Sequence, residues 1–172
     1  MKILLLSDTH GALDKTKEVL AKYQIMDAYI HLGDVGFDVK ELCDFLVVCG
    51  NHDHIKDVPY EYITTFEKRK VLCLHGNLFD QETLHEVFTN THEEIDDLME
   101  LCMNTLYGKL ANYAKEKGCD CVFFGHTHHQ CFVEKEGITL INPGSLYLGT
   151  PRNGYAIVEI VGNKINVCFE AV

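Results

Sequence analysis

Residues that commonly bind metal ions follow five short apolar segments of this sequence. The segments end in SDTH, GD, GNHD, HG and GHTH, and the seven candidate ligands in them are Asp8, His10, Asp34, Asn51, His75, His126 and His128. Taken singly, each has an ordinary explanation as a turn residue or a structural histidine. Carboxylates, an amide and imidazoles without thiolate together form a donor set that suits Mn, Fe, Zn, Ni or Co.

The number of candidate ligands favours two divalent cations over one. One octahedral ion that keeps positions open for solvent and substrate would not use seven ligands, whereas two ions sharing a carboxylate would. Two ions would also supply positive charge that the chain lacks, because 26 acidic and 15 basic residues give a formal net charge of -11. The sequence therefore predicts a binuclear site.

Composition limits the partners and the compartment. An acidic chain is a poor candidate for binding polymeric nucleic acid, since Lys and Arg supply most of the attraction to phosphate backbones. The sequence contains no run of 18 apolar residues, so we expect no membrane partner. Met1 leads directly into a strand-like segment, and we expect no signal sequence. The eight cysteines contain no C-x-x-C pair, which favours reduced thiols. We expect a cytoplasmic protein.

The elements that must position these residues change character along the chain. In the first 50 residues, apolar runs alternate with helical patterns at about 13–23 and 39–42, which is typical of parallel strands with helical crossovers. Later segments predict hairpins at 60–76 and around turns at 135–137 and 162–164. The whole predicts an α/β fold in which two mixed β-sheets pack as a sandwich flanked by helices.

Helical periodicity dominates residues 76–119. Thr91 and Glu94 form a capping box, and apolar residues recur from Ile95 to Leu110, which predicts one amphipathic helix of about seven turns. We expect a single domain, residues 1–172, with a helical insertion at about 81–117. That insertion is a candidate lid, substrate wall or dimer contact, so a homo-oligomer is possible.

In this order, DTH, GD, GNHD, an isolated His after a strand and GHTH resemble the motifs of the calcineurin-like metallophosphoesterase superfamily. The resemblance spans residues 1 to about 145 and is greatest to the small bacterial and archaeal phosphodiesterase branch. It implies the four-layer αββα fold of that family. It also implies a ligand set: Asp8, His10 and His128 for one metal, Asn51, His75 and His126 for the other, and Asp34 bridging both.

The same resemblance implies a metal-dependent phosphoesterase that acts on small phosphodiesters. Manganese is the first expectation for both ions, with Fe, Ni, Zn or Co as alternatives. Water between two cations about 3.5 to 4 Å apart loses a proton near neutral pH and can attack phosphorus in line. His52 corresponds to a family residue that is not a ligand and is assigned to the leaving group.

Three assignments stay open. Asn142, in the segment INPGS, is a candidate substrate contact or part of a Pro-Gly turn, and Arg152 is a candidate phosphate contact or an ordinary exposed arginine. Many family members have an Asp where Phe37 stands, so the orienting partner of His52 is undecided between Asp38 and Asp53. The remaining histidines, residues 31, 54, 85, 92 and 129, are expected to be structural or solvated.

A second class of function accompanies the resemblance. One eukaryotic member of the branch is a scaffold in a membrane-coat sorting complex, so a non-catalytic scaffold for protein assembly is the alternative. A scaffold has no need of an acid beside a complete set of metal ligands, and His52 therefore favours the enzyme. A nuclease is disfavoured by the acidic charge balance.

Overall fold

The computed structural model describes residues 1–90 and 95–172, with side chains outside 90–97. Its strands are β1 (Lys2–Leu6), β2 (Ala28–His31), β3 (Phe45–Val47), β4 (Glu61–Phe66), β5 (Arg69–Leu74), β6 (Cys121–Phe123), β7 (Cys131–Lys135), β8 (Ile138–Asn142), β9 (Gly154–Val161) and β10 (Lys164–Ala171). Its helices are α1 (Leu13–Lys22), α2 (Asp80–Asn90) and α3 (Ile95–Glu116), with short 3₁₀ helices at Val39–Leu42 and Asn77–Phe79.

The strands form two mixed sheets of five strands, ordered β10-β9-β1-β2-β3 and β4-β5-β6-β8-β7. In the first sheet β1, β2 and β3 are parallel, and β9 runs antiparallel to β1 and β10. In the second, β5, β6 and β8 are parallel, and β4 and β7 are antiparallel edge strands. The predicted mixed sheets and all three predicted hairpins are confirmed.

Alternation along the strands explains the four layers. Successive side chains of a strand point to opposite faces, so the apolar run of β1 serves two cores. Ile3 and Leu5 pack between the sheets, whereas Leu4 and Leu6 pack on the side covered by α1. The outer face of the second sheet is covered by α3, whose Leu110 is fully buried there. The order of layers is therefore α1, sheet, sheet, α3.

The helix predicted over the apolar stripe corresponds to α3, and the helical region also contains α2, which the periodicity did not predict. α2 begins directly after a 3₁₀ turn, and α3 follows it with 22 residues. The predicted capping box of Thr91 and Glu94 lies outside the described residues. The C-terminal half of the apolar stripe on α3 is core, since Leu106 packs against the second sheet. No helix in the described part of the chain is long and apolar enough to cross a membrane.

Candidate metal centre

The ends of five strands bring the candidate ligands together. The ligands lie on the loops after β1, β2 and β3 of one sheet and after β5 and β6 of the other, and His126 N donates to Asp8 Oδ2 across the two sheets at 3.0 Å. Backbone hydrogen bonds join the loops that follow these strands: Asp8 N donates to Gly33 O at 3.0 Å, and Gly125 N donates to His75 O at 2.9 Å. Loops at the carboxyl ends of parallel strands are the usual location of sites in such sheets.

Backbone strain is concentrated on the same loops. Five of the seven candidate ligands have positive φ angles, between 42° and 66°: Asp8, His10, Asp34, His126 and His128. The left-handed region is costly for residues other than glycine and persists only where the surrounding structure enforces it. The other three non-glycine residues with positive φ among those described lie in turns. The strain follows the motifs, which marks this edge as a functional site.

Asp8, His10 and His128 form one group of converging ligand atoms. Asp8 is fully buried, and its Oδ2 accepts hydrogen bonds from the Ser7 hydroxyl and from His126 N. Its Oδ1 points instead toward imidazoles, 3.2 Å from His128 Nε2 and 3.8 Å from His10 Nε2. The two histidine nitrogens are 3.2 Å apart. One oxygen is thus held by the fold and the other is free to bind a cation.

Asp34 faces this group and a second one. Its Oδ1 accepts a hydrogen bond from His52 N at 2.9 Å, so that oxygen is occupied. Its Oδ2 lies 3.4 Å from His75 Nε2 and 3.7 Å from His10 Nε2. Asn51 Oδ1 is 3.0 Å from the same His75 nitrogen. Asp34 Oδ2 therefore stands between His10 of the first group and His75, the position that a bridging ligand requires. Asp8 Oδ1 also lies 3.9 Å from His75 Nε2, so Asp8 converges with both groups.

The hydrogen bonds of the histidine rings show that a cation fits here. His75 Nδ1 lies 2.7 Å from Leu32 O, which can only accept, so Nδ1 carries the proton in the neutral ring. The lone pair of Nε2 then faces oxygens of Asp34 and Asn51. His128 repeats the arrangement, with Nδ1 bonded to Leu148 O and Nε2 toward Asp8. A lone pair that faces oxygens is repulsive, so these nitrogens need either a proton or a metal cation between them and the oxygens, and a metal can take the place of the proton.

The charges of the buried groups follow the same logic. Burial would raise the pKa of Asp34, but the hydrogen bond and charge of His75 and the N–H of His52 lower it to about 2. Burial likewise opposes ionisation of Asp8, and His128, His75 and Ser7 outweigh it and lower its pKa. The pKa of His75 is raised, because its carboxylate neighbours outweigh the effect of burial. Both carboxylates are therefore anionic near neutral pH.

His126 and His52 lie beside these groups in different ways. The His126 ring packs edge-on against the His75 ring, with centroids 5.1 Å apart, and its Nε2 is turned toward Asp80 at 2.6 Å. His52 is 68% exposed, its Nε2 lies 4.0 Å from Asp34 Oδ2, and its ring is 5.6 Å from the His10 ring. His52 thus stands at the solvent side of the cluster.

Neither proposed partner orients the His52 ring. The Asp53 carboxylate accepts from three backbone amides, those of Asp34, Val35 and Gly50, at 2.7 to 2.9 Å. It fixes the loop of the bridging candidate, and a side chain at Gly50 would collide with the Asp34 carboxylate. Asp38 caps the first 3₁₀ helix through Lys40 N. Among the described residues, no side chain is hydrogen-bonded to the His52 ring.

His31, which the sequence predicted to be structural or solvated, supports the loops of two candidate ligands. It is fully buried, its Nδ1 accepts from Gly33 N at 3.2 Å, and its Nε2 lies 3.0 Å from the Thr9 hydroxyl. The Thr9 hydroxyl donates to Val35 O, so it accepts from His31 Nε2–H. A neutral His31 therefore ties together the loops that carry Asp8 and Asp34.

His31→Gln should flatten the pH dependence of the free energy of unfolding between pH 6.5 and pH 4. Burial lowers the pKa of His31 from 6.5 to about 4, so the folded chain binds fewer protons in this interval than the unfolded chain. Its contribution is complete above pH 6.5 and is lost as the pH falls toward 4, by about 3 kcal/mol in all. Glutamine keeps one donor and one acceptor but does not titrate.

Urea unfolding of both metal-free proteins at a series of pH values measures this difference. All other titrating groups are shared, so subtracting the two curves isolates His31. Parallel curves for the two proteins would show that His31 protonates normally in the folded chain.

The two candidate substrate contacts occupy different surroundings. Asn142 is fully buried, with its amide donating to Gly125 O and Thr127 Oγ1 and accepting from Gly144 N. All its polar atoms are used to support the loop of the last histidine motif, a structural position rather than a surface that meets substrate. Arg152 is exposed on the loop before β9.

Comparison with known proteins places the chain among phosphoesterases. A family model described as the calcineurin-like phosphoesterase superfamily domain matches residues 1–163. A probable metallophosphoesterase of Bacillus subtilis is 28% identical over 174 residues, covering 98% of this chain and 90% of the relative. A phosphodiesterase of Methanocaldococcus jannaschii is 27% identical over 171 residues, covering 92% of this chain and 94% of that protein.

Solved structures agree with the described fold. The crystal structure of a predicted phosphoesterase from Streptococcus pneumoniae superimposes with a TM-score of 0.76 at 28% identity, covering 99% of this chain and 88% of the other. Wild-type Vps29 from Entamoeba histolytica, solved with Zn²⁺, superimposes with a TM-score of 0.66 at 18% identity, covering 100% of this chain and 98% of the other. The second similarity shows the fold alone.

Proposed function

The chain belongs to the calcineurin-like phosphoesterase superfamily, and on that premise we propose that it hydrolyses small phosphodiesters with two divalent metal ions. The observation that carries the proposal is the position of Asp34 Oδ2, within 3.7 Å of both His10 and His75. A phosphodiesterase of similar length among the relatives supports the substrate class. Manganese is the metal we propose first, with Fe, Ni, Zn or Co as alternatives.

The proposed ligands divide into two sets around Asp34. Asp8, His10 and His128 would hold one ion, and Asn51, His75 and His126 the other. When bound, the pair of ions would lower the pKa of water in the site and neutralise the phosphoryl oxygens, which the acidic chain cannot do alone. The fold fixes the orientation of the ligands: Leu32 O and Leu148 O accept hydrogen bonds from His75 and His128, and the Ser7 hydroxyl donates one to Asp8.

We propose that His52 assists the departure of the leaving group. It is the exposed imidazole at the edge of the cluster. Its backbone N–H donates a hydrogen bond to Asp34, whereas its ring Nε2 lies 4.0 Å from Asp34 Oδ2, beyond hydrogen-bonding distance. The ring is therefore free to donate a proton or a hydrogen bond to a departing alkoxide. Such assistance typically contributes about 10² to 10⁴-fold to the rate.

The compartment and the second candidate function are also proposals. All eight cysteines are free thiols, which supports a reducing, cytoplasmic setting. The fold similarity to Vps29 keeps a scaffold role as the alternative. Against it stand five candidate ligands that converge beside an exposed His52, because a scaffold gains nothing from holding them: Asp8, His10, Asp34, His75 and His128.

The function is tested by hydrolysis assays on protein that has been stripped of metal and then reloaded. We expect no activity without metal, activity restored by Mn²⁺, and faster hydrolysis of bis(p-nitrophenyl) phosphate than of p-nitrophenyl phosphate. Cyclic nucleotides belong in the same panel as natural diesters. Hydrolysis that persists in chelator, or none on any ester with the metal bound, would contradict the proposal, and the latter would favour the scaffold.

A further inference from the structure

Asp80 approaches the metal centre from the helical region. It is the first residue of α2, and its Oδ2 lies 2.6 Å from Nε2 of His126, a residue 46 positions further along the chain. The two side chains are 40% and 24% exposed, so the pair is partly shielded from solvent. Asp80 belongs to none of the sequence motifs.

This contact decides which His126 nitrogen is available. A carboxylate only accepts, so Nε2 carries the proton, and in the neutral ring the lone pair is on Nδ1. His75 and His128 are held at the opposite nitrogen, since their Nδ1 atoms bond to backbone carbonyls and their Nε2 atoms face the cluster. Each of the three rings therefore has one nitrogen fixed by an oxygen and one left as a ligand. Histidines that bind metals usually show this arrangement.

We propose that Asp80 is a positioning residue that holds His126 with Nδ1 directed to the second metal ion, and so makes α2 part of the metal centre. The proposal rests on the proposed function. Of the three rings, His126 is the one whose support comes from a side-chain carboxylate rather than a backbone carbonyl.

The position of Asp80 depends on the packing of the helical region. Its backbone N–H bonds to Asn77 O, which continues the 3₁₀ helix into α2. The neighbouring Phe79 packs edge-on against Tyr113 of α3, with ring centroids 5.6 Å apart. The helix pair thereby holds the carboxylate in place, and this gives the helical region a role at the metal centre.

A simpler explanation must be separated from this one. Acidic residues in the first turn of a helix stabilise it through the helix dipole, and α2 has both Asp80 and Glu82 there. Glu82→Gln removes a charge from the same turn without touching His126, because Glu82 pairs with Lys109 at 3.8 Å. It is the matched control.

Calorimetric titration of the metal-free proteins with Mn²⁺ tests the proposal. Asp80→Ala should weaken one of the two binding events by about 10 to 100-fold. Asp80→Asn should fall between the wild type and Asp80→Ala, because the amide oxygen still accepts from Nε2–H, and Glu82→Gln should match the wild type. In the metal-free protein, ¹⁵N shifts of His126 should report the Nε2–H tautomer in the wild type and lose that preference in Asp80→Ala.

Two results would overturn the proposal while leaving the proposed function intact: Asp80→Ala that binds two ions with unchanged affinity, or Asp80→Asn that is as weak as Asp80→Ala. If Asp80→Ala does not fold, the nearly isosteric Asp80→Asn still decides through its affinity and its ¹⁵N shifts. A wild-type protein that takes up no metal would overturn the proposed function itself.

Discussion

Asp34→Asn should release metal from both sites and reduce phosphodiester hydrolysis by more than about 10³-fold, since even one stabilising donor contributes about 10² to 10³-fold. The reason is the geometry of one oxygen. Asp34 Oδ2 faces His75 and His10 together, and its pKa of about 2 keeps the carboxylate charged. An amide of the same size still accepts from His52 N but carries no charge to share between two cations.

Metal analysis by mass spectrometry and turnover measurements check this expectation together. Asp38→Asn is the control, because Asp38 lies four residues along the chain and only caps the first 3₁₀ helix. It should retain metal and activity. An Asp34→Asn protein with two ions per chain and normal turnover would end the assignment of Asp34 as the bridge.

His52→Ala should separate substrates by their leaving groups. The leaving group of an alkyl diester is an alkoxide that needs a proton, so the rate of alkyl diester hydrolysis should fall by about 10² to 10⁴-fold. The leaving group of a nitrophenyl diester is a stable phenolate, so the rate of its hydrolysis should fall far less. Metal content should be unchanged, because the His52 ring is exposed and belongs to neither group of converging ligand atoms.

Two neighbouring variants serve as comparisons for His52→Ala. Asn51→Ala removes the neighbouring candidate ligand and should weaken metal binding, whereas His54→Ala removes another exposed imidazole two positions away and should change neither metal content nor rate. Equal losses by His52→Ala on both classes of ester would indicate substrate positioning instead of acid catalysis. Unchanged turnover on every ester would show that His52 has no part in the reaction.

The layers of the fold were predictable because periodicity reports burial directly. β1 is apolar and buried from Ile3 to Leu6, on both of its faces, and hairpin turns such as Glu136-Gly137 separate the later strands. The division of the helical region into α2 and α3 was not predictable. Its residues favour helix throughout, and periodicity alone does not show where one helix ends.

The candidate ligands were found because they lie at strand ends, but their supports were not. Asp53 binds three backbone amides and His31 joins two loops, contacts that arise only once distant loops are adjacent. Asp80 lies at the start of a helix, where an acidic residue has an ordinary explanation. Its contact with His126 depends on the placing of α2, which no local pattern in the sequence encodes.

The most direct measurement of the central claim is anomalous diffraction from crystals of this protein grown with Mn²⁺. Two peaks about 3.5 to 4 Å apart are expected, with Asp34 Oδ2 between them. One should lie against Asp8, His10 and His128, and the other against Asn51, His75 and His126. A single peak, or two peaks that do not share Asp34, would contradict the account.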